Sequence, residues 1–267
     1  VTDYPIYDLT SVPATHRNVK YPTAGDSSHT VKLGIYNLEE ETLLYLDVDG
    51  SYDQFITNVT WAPDGESIYI AWVNRAQNHM KMQRYDVSNG QLSKVLFEEK
   101  NDRYVEPEHG PIFLKTDKTK FLWYSERDGY NHLYLYNTKG KLIDQLTSGK
   151  WIVTEIIGFD ELEENLYFMG TKDSPLERHL YQVNMKTLGI KKITKHAGTH
   201  SIKMNSKASQ FIDVFSSMKV PKDTRIIDTY GDIIQVLHKA DNPLKEYAIG
   251  KIEIEVTGVA THLLHHD

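Results

Sequence analysis

Histidines are the first candidates for chemistry in this chain, because imidazole binds metals and transfers protons near neutral pH. The 267 residues include 12 histidines and no cysteine. His196 and His200 are four apart, a metal-ligand spacing on a helix, but they flank Ala197-Gly198-Thr199, which indicates a loop. A second group lies at the C-terminal end: His262, His265, His266 and Asp267. We interpret this group as a linker or tail, and we expect no metal and no cofactor.

Adjacent glutamates are the second candidates, because two carboxylates can hold a cation such as a peptide ammonium group. They occur at Glu39-Glu40-Glu41 and at Glu98-Glu99, where strands are predicted to end or turn. We therefore interpret both groups as solvated acids of turns. The sequence also contains no Gly-x-Ser-x-Gly pentapeptide, the turn that presents the nucleophile of α/β-hydrolases. The chain alone is accordingly not expected to be an enzyme.

Four similar units must position any site in this chain. Their apolar inner strands are predicted to begin at residues 67, 120, 165 and 210, at intervals of 53, 45 and 45 residues. The predicted inner strands are Ser67–Trp72, Lys120–Ser125, Asn165–Gly170 and Gln210–Phe215. The strands that follow are predicted at Met82–Asp86, His132–Asn137, His179–Asn184 and Arg225–Tyr230. A period of this length with short strands is typical of β-propeller blades.

The region before the full units is predicted to hold an arm and half a blade. Residues 1–30 contain three prolines and show no clear apolar face, which indicates an extended arm or a loop of a preceding blade. Val31–Asn37 and Thr42–Asp47 form a strand pair, so the other half of this blade is lost or supplied upstream. We predict an all-β partial propeller of about four and a half four-stranded antiparallel blades over residues 31–250.

Composition and the C-terminal segment limit the remaining possibilities. A last strand is predicted at Lys251–Val256, and we interpret residues 251–267 as the start of a linker. The net charge of −7 argues against a nucleic-acid partner, which needs clustered basic residues. No apolar run approaches the roughly 20 residues that span a bilayer, so no membrane span is predicted in this segment. The aromatic side chains fall on strands and are expected to pack between blades.

Four longer motifs go beyond generic propeller character. They are Tyr21–Gly25 with Thr30–Lys32, Trp72–Asn78, Ser125–His132 and Leu146–Trp151. In this order they resemble consecutive segments of the dipeptidyl peptidase IV family, and the match runs from about Val1 to Ile254. The Trp-x-x-Arg-x-Gln-Asn pattern is the most specific of them. The segment Arg103–Pro107 is similar to the bacterial branch of dipeptidyl and tripeptidyl peptidases.

The resemblance implies a role in peptide hydrolysis. In that family an eight-bladed open propeller caps an α/β-hydrolase domain with a Ser-Asp-His triad. The resemblance implies that this chain is the later part of the propeller, from the fourth blade to the eighth. It would be noncatalytic and would gate and shape the access of peptide substrates to a C-terminal α/β-hydrolase domain outside this chain. The family also suggests a periplasmic, cell-surface or secreted protein.

The resemblance also implies individual roles. Tyr104 would line the apolar subsite for the penultimate residue of the substrate, and Arg103 would donate to a peptide carbonyl. Val105 stands where animal enzymes have a second arginine, and the Glu-Glu pair that binds the free N terminus falls upstream of Val1. The alternatives are that Tyr104 is ordinary blade packing and Arg103 part of an ion pair between blades.

Residues 1–20 match the arm that contributes to the homodimer in the family. The apolar contacts of such an arm would be Tyr4, Ile6 and Tyr7. The alternative for this stretch is a disordered leader. For the whole chain, the alternatives are a stand-alone TolB-like interaction propeller and a propeller glycosidase. The first shares turns such as Pro63-Asp64-Gly65 but needs a complete ring, and the second needs paired carboxylates around a central pocket.

Overall fold

The computed structural model describes residues 2–23, 25–27, 29–48, 53–248 and 250, and these residues form β-strands, turns and loops without a helix. Their strands form six antiparallel sheets. Two of the sheets have two strands each: β1 (Thr2–Asp8) with β2 (Thr15–Tyr21), and β3 (Gly34–Asn37) with β4 (Thr42–Tyr45). We call the second pair the half-blade.

The other four sheets have four strands each and are named blades A to D. Blade A contains β5 (Phe55–Trp61), β6 (Ser67–Val73), β7 (His79–Asp86) and β8 (Leu92–Lys100). Blade B contains β9 (Ile112–Phe113), β10 (Lys120–Ser125), β11 (His132–Asn137) and β12 (Leu142–Gln145). Blade C contains β13 (Val153–Phe159), β14 (Asn165–Gly170), β15 (His179–Asn184) and β16 (Ile190–Lys192). Blade D contains β17 (Thr199–Met204), β18 (Gln210–Ser217), β19 (Val220–Asp228) and β20 (Ile233–Lys239).

The described residues confirm the predicted fold class, an all-β partial propeller. Each blade is an antiparallel meander in which consecutive strands are neighbours. The half-blade is present but shorter than predicted, because its first strand begins at Gly34 rather than at Val31. The predicted strand Lys251–Val256 and the tail of residues 251–267 lie outside the described residues.

The blades are held together by side chains that alternate between two cores. In β10, Phe121 and Trp123 pack into a cluster with Tyr69 of blade A. Leu122 of the same strand packs into the next cluster, which contains Phe168 of blade C. Because successive side chains of a strand point to opposite faces, one apolar strand joins two neighbouring blades. This explains why the inner strands read as nearly continuous apolar runs.

Aromatic rings fill the spaces between blades, as the sequence predicted. The Phe97 ring of blade A stacks on the Tyr136 ring of blade B with their centroids 4.2 Å apart. The rings of Tyr167 in blade C and Phe211 in blade D have centroids 5.1 Å apart. Each ring buries a large apolar area, so these pairs contribute strongly to the contact between neighbouring blades.

Close-packed turns bring neighbouring blades together at their outer edges. Gly140 in the β11–β12 turn has φ 83°, and Gly231 in the β19–β20 turn has φ 77°. A Cβ atom at Gly140 would collide with the carbonyl of Leu96 in the preceding blade, and one at Gly231 would collide with the carbonyl of Ile193. Glycine is therefore required at both turns by its backbone conformation and by the neighbouring backbone.

A histidine–threonine pair recurs in blades B and C. His132 Nδ1 lies 3.0 Å from Thr147 Oγ1, which also accepts the Leu133 N–H at 3.0 Å. His179 Nδ1 lies 2.9 Å from Thr194 Oγ1 in the same arrangement. Since each threonine oxygen already accepts a main-chain N–H, its hydroxyl proton is free to donate to the histidine ring. These two buried histidines are therefore structural parts of the repeat.

The N-terminal region of the described residues contains a regular hairpin. Residues 2–21 form a hairpin in which all seven positions of β1 pair with β2, from Thr2 opposite Tyr21 to Asp8 opposite Thr15. Main-chain hydrogen bonds hold this ribbon together without an apolar face, and its extended form is compatible with the predicted arm. Most side chains of the ribbon are exposed.

Candidate substrate subsite

The segment that carries Arg103 and Tyr104 is the loop between β8 and β9. The Tyr104 side chain is 52% exposed, which is not the environment of a ring packed between blades. The main-chain N–H of Arg103 donates to Asn101 Oδ1 at 2.8 Å. Within the described part of the chain, the Arg103 guanidinium forms no ion pair. Both side chains are thus available to a ligand.

A cavity of about 430 Å³ opens beside this loop, where blade A meets blade B. One wall is the loop itself, with Arg103, Tyr104 and Val105. The opposite wall is the end of β10 and the following turn, with Trp123 and Glu126. The structure therefore brings the two residues predicted from the resemblance to the edge of one concave surface.

Glu99 joins the two blades at this cavity. Its carboxylate accepts from Trp123 Nε1 at 2.9 Å, from Ser125 Oγ at 2.9 Å and from Arg127 Nη2 at 2.6 Å. The Glu99 side chain is only 11% exposed, so its interpretation as a solvated acid was wrong. The pattern Glu98-Glu99 could not reveal this, because the partners belong to the next blade. Glu98, in contrast, is exposed, as expected.

Arg127 forms the base of the same network. Its Nε donates to Ser125 Oγ at 2.9 Å, and its Nη1 donates to Tyr136 Oη at 2.6 Å. The guanidinium also lies over the Tyr134 ring, 4.3 Å from its centroid. Burial lowers the pKa of Arg127, but the charge of Glu99, the Tyr136 hydroxyl and the hydrogen bonds to both together raise it more, so the pKa lies above its usual value. This charged network forms the floor of the cavity.

The rim of the cavity carries acids without cationic partners among the described residues. Glu106, Glu108 and Glu126 line it, and none of them takes part in an ion pair there. Burial, followed by repulsion from Glu108 and Glu106, raises the pKa of Glu126. Such a rim repels anionic ligands and favours positively charged ones.

In the described part of the chain, the buried histidines form structural hydrogen bonds. His200 is bonded to Asp213 and to the carbonyl of His196, and no group of three or more potential ligands could hold a metal ion. The C-terminal group of three histidines and Asp267 lies outside the described residues. The part of the chain that the structure describes contains no helix that could span a bilayer.

Comparison with known proteins assigns the chain to a family. Residues 1–222 match the family model described as the dipeptidyl peptidase IV N-terminal region. The chain belongs to the dipeptidyl peptidase IV family. This family membership confirms the resemblance inferred from the motifs, and it favours the peptidase hypothesis over the TolB-like and glycosidase alternatives.

Individual relatives agree with this assignment. This member of the dipeptidyl peptidase IV family is 25% identical to dipeptidyl aminopeptidase B of Saccharomyces cerevisiae. The match covers 99% of this chain and 33% of that protein. The chain is 35% identical to a candidate dipeptidyl aminopeptidase IV from Bacteroides ovatus, with a TM-score of 0.82 over 92% of this chain and 38% of that one. Dipeptidyl peptidase 4 of Porphyromonas gingivalis shares the fold, at 24% identity and a TM-score of 0.78, over 90% of this chain and 34% of that one. The chain thus spans about a third of the length of these relatives.

Proposed function

We propose that this chain is the later, noncatalytic part of the propeller of a serine exopeptidase that releases dipeptides or tripeptides. It walls the chamber and shapes the access of peptide substrates to an α/β-hydrolase domain encoded outside this chain. Residues 1–30 would be the arm, residues 31–250 the blades, and residues 251–267 the start of the linker. Family membership and the names of the relatives support this role.

The observation that carries the proposal is the position of Tyr104 at the edge of the cavity between blades A and B. Its half-exposed ring would form an apolar wall for the penultimate side chain of a peptide. The neighbouring Arg103, exposed and without an ion-pair partner among the described residues, would donate to a substrate carbonyl. A peptide N terminus carries a positive charge, which suits the acidic rim.

Tyr104→Ala is expected to lower kcat/KM about tenfold in the full-length protein, mainly through KM, because removing an apolar contact of this size costs about 1.4 kcal/mol. The measurement is the release of p-nitroaniline from Ala-Pro-p-nitroanilide. Tyr104→Phe keeps the ring and should retain the wild-type KM. The matched control is Tyr230→Ala, since Tyr230 is also exposed but lies in the β19–β20 turn of blade D.

Two outcomes would contradict the proposal. An unchanged KM in Tyr104→Ala would exclude the ring from the substrate site. Hydrolysis by the purified 267-residue chain, in step with its own elution peak, would show that the chain is catalytic by itself. The expected result is no release of p-nitroaniline by the chain alone.

We also propose that the β1–β2 hairpin contributes to a homodimer of the full-length protein. Tyr4, Ile6 and Tyr7 are exposed on it, and such apolar side chains favour contact with a second surface. Ile6→Asp is expected to shift the protein towards monomer in sedimentation equilibrium. Leu162→Asp, in an exposed turn of blade C, should leave the association unchanged. A dimer of wild-type strength in Ile6→Asp would exclude the arm.

A further inference from the structure

The loop that carries Tyr104 is tied to blade A on both sides of this residue. The main-chain N–H of Asn101 donates to the Asn78 carbonyl at 3.0 Å. The N–H of Val105 donates to the Gln77 carbonyl at 2.7 Å. A third bond uses a side chain: Asn58 Nδ2 donates to the Pro107 carbonyl at 2.6 Å. The bonds to Asn101, Val105 and Pro107 therefore restrain the segment from which Tyr104 projects.

Two of these anchors have an unusual backbone conformation. Asn58 has φ 55° and Gln77 has φ 54°, in the left-handed region that residues other than glycine seldom adopt. Asn58 lies where the register between β5 and β6 shifts between Thr57 and Thr60, which is a β-bulge. Bulges commonly redirect a side chain beside a functional site. The bulge gives the Asn58 amide a position outside the regular β5–β6 ladder.

The same bulge also receives the end of the loop. Thr60 Oγ1 donates to the Asn58 carbonyl at 3.1 Å. A Cβ atom at Gly110 would lie 2.5 Å from Thr60 Oγ1, so a larger residue there would displace the Thr60 side chain. The triplet Asn58-Val59-Thr60 has the form of a glycosylation acceptor, yet the Asn58 amide is engaged with the loop and the Thr60 hydroxyl is engaged with the Asn58 carbonyl within the bulge. The Asn58 side chain is therefore placed to hold the loop through Pro107.

We infer that Asn58 is a positioning residue, whose side-chain amide holds the Arg103–Pro107 segment so that Tyr104 stands at the edge of the cavity. The part of this inference that concerns substrate rests on the proposed function. The anchoring of the loop does not, because it is a property of the hydrogen bonds alone. The two parts can therefore be tested separately.

The anchoring is tested by hydrogen exchange on the 267-residue chain, followed by mass spectrometry. In Asn58→Gly, the amides of residues 101–106 should exchange about tenfold faster, since one hydrogen bond to the loop is lost. Amides of β10 and β11 should be unaffected. Asn58→Asp, which keeps the shape but cannot donate, should give the same acceleration and guards against a folding defect of the glycine variant.

Gln77→Gly is the matched control for this experiment. Like Asn58→Gly, it introduces glycine at a residue in the left-handed region, here with φ 54°. The bond from the loop to Gln77 uses the Gln77 main-chain carbonyl, so it survives the substitution. Exchange of the loop should therefore remain at the wild-type rate. If Asn58→Gly and Asn58→Asp also show the wild-type rate, the anchoring is overturned.

The link to substrate is tested by a double-mutant cycle in the full-length protein. Asn58→Gly should raise KM for Ala-Pro-p-nitroanilide about threefold with kcat unchanged, and it should have no further effect in the Tyr104→Ala background. An equal rise in both backgrounds would overturn the positioning role, because Asn58 would then act independently of Tyr104. Faster loop exchange with an unchanged KM in both single variants would overturn the proposed subsite and leave the anchoring intact.

Discussion

Asp213→Ala is expected to lower the free energy of unfolding by about 4 kcal/mol, because removing one partner of a buried ion pair costs about 3–5 kcal/mol. The Asp213 side chain is buried in β18, on the face that packs against blade C. Its two oxygens face different side chains. Oδ1 lies 2.8 Å from His200 Nδ1, and Oδ2 accepts from Arg225 Nε at 2.9 Å.

The burial of both partners explains the size of the effect. His200 Nε2 lies 2.9 Å from the carbonyl of His196, so both ring nitrogens of His200 face acceptors. Arg225, also buried, lies over the Phe215 ring at 4.7 Å. Without Asp213, the buried Arg225 guanidinium would remain without an anion beside it, and His200 Nδ1 would lose its partner.

Urea unfolding followed by circular dichroism measures this loss. The matched control is Asp223→Ala in β19 of the same blade, since the buried Oδ1 of Asp223 has no hydrogen-bond partner in the described structure. That control should change stability by less than about 1 kcal/mol, as is usual for sites outside a network. If Asp213→Ala also costs less than about 1 kcal/mol, the three side chains do not form a charged network in solution.

The strands of this fold could be predicted closely because their signals are local. The inner strands Lys120–Ser125 and Asn165–Gly170 and the following strands His132–Asn137 and His179–Asn184 agree with the structure to the residue. Each is an apolar run between turn residues, repeated at nearly constant spacing. Since both faces of every inner strand are covered by neighbours, burial forces the same pattern in each unit.

The hairpin and the loop anchors could not be predicted in the same way. The ribbon of β1 and β2 is held by main-chain hydrogen bonds and leaves most of its side chains exposed, so it has no apolar alternation to find. The role of Asn58 depends on a bulge and on a carbonyl 49 residues away in sequence. Neither feature has a local signature beyond residue types that also suit ordinary turns.

For the cavity, too, a sequence motif predicted some of the residues, whereas contacts between distant parts of the chain decide the others. Tyr104 and Arg103 were predicted from a family motif. They lie at the edge of the cavity because they follow β8, which ends there. The floor was missed because the sequence offered Glu98 and Glu99 as equivalent neighbours on one strand. Only the packing of blade B on blade A decides which of the two becomes buried.

Glu99→Ala is expected to lower the free energy of unfolding by about 3 kcal/mol. The substitution removes the acceptor of the Trp123 indole N–H, the Ser125 hydroxyl and the Arg127 guanidinium together. Leaving a buried donor without a partner costs about 1–3 kcal/mol, and more for a charged group. The Arg127 side chain is 30% exposed, so water can solvate it in part, and the total stays at the lower end of the range for buried pairs.

The neighbouring Glu98→Ala is the matched control, because it removes the same side chain from the adjacent position of β8. Glu98 is 41% exposed and pairs with His79 and Lys100 at the surface. Exposed pairs contribute about 0–1 kcal/mol, so this variant should unfold at nearly the wild-type urea concentration. Equal losses in the two variants would show that Glu99 is not the buried link between blades A and B. A loss of stability in Glu99→Ala alone would instead show that the contact between blades A and B depends on the Glu99 carboxylate at the floor of the cavity.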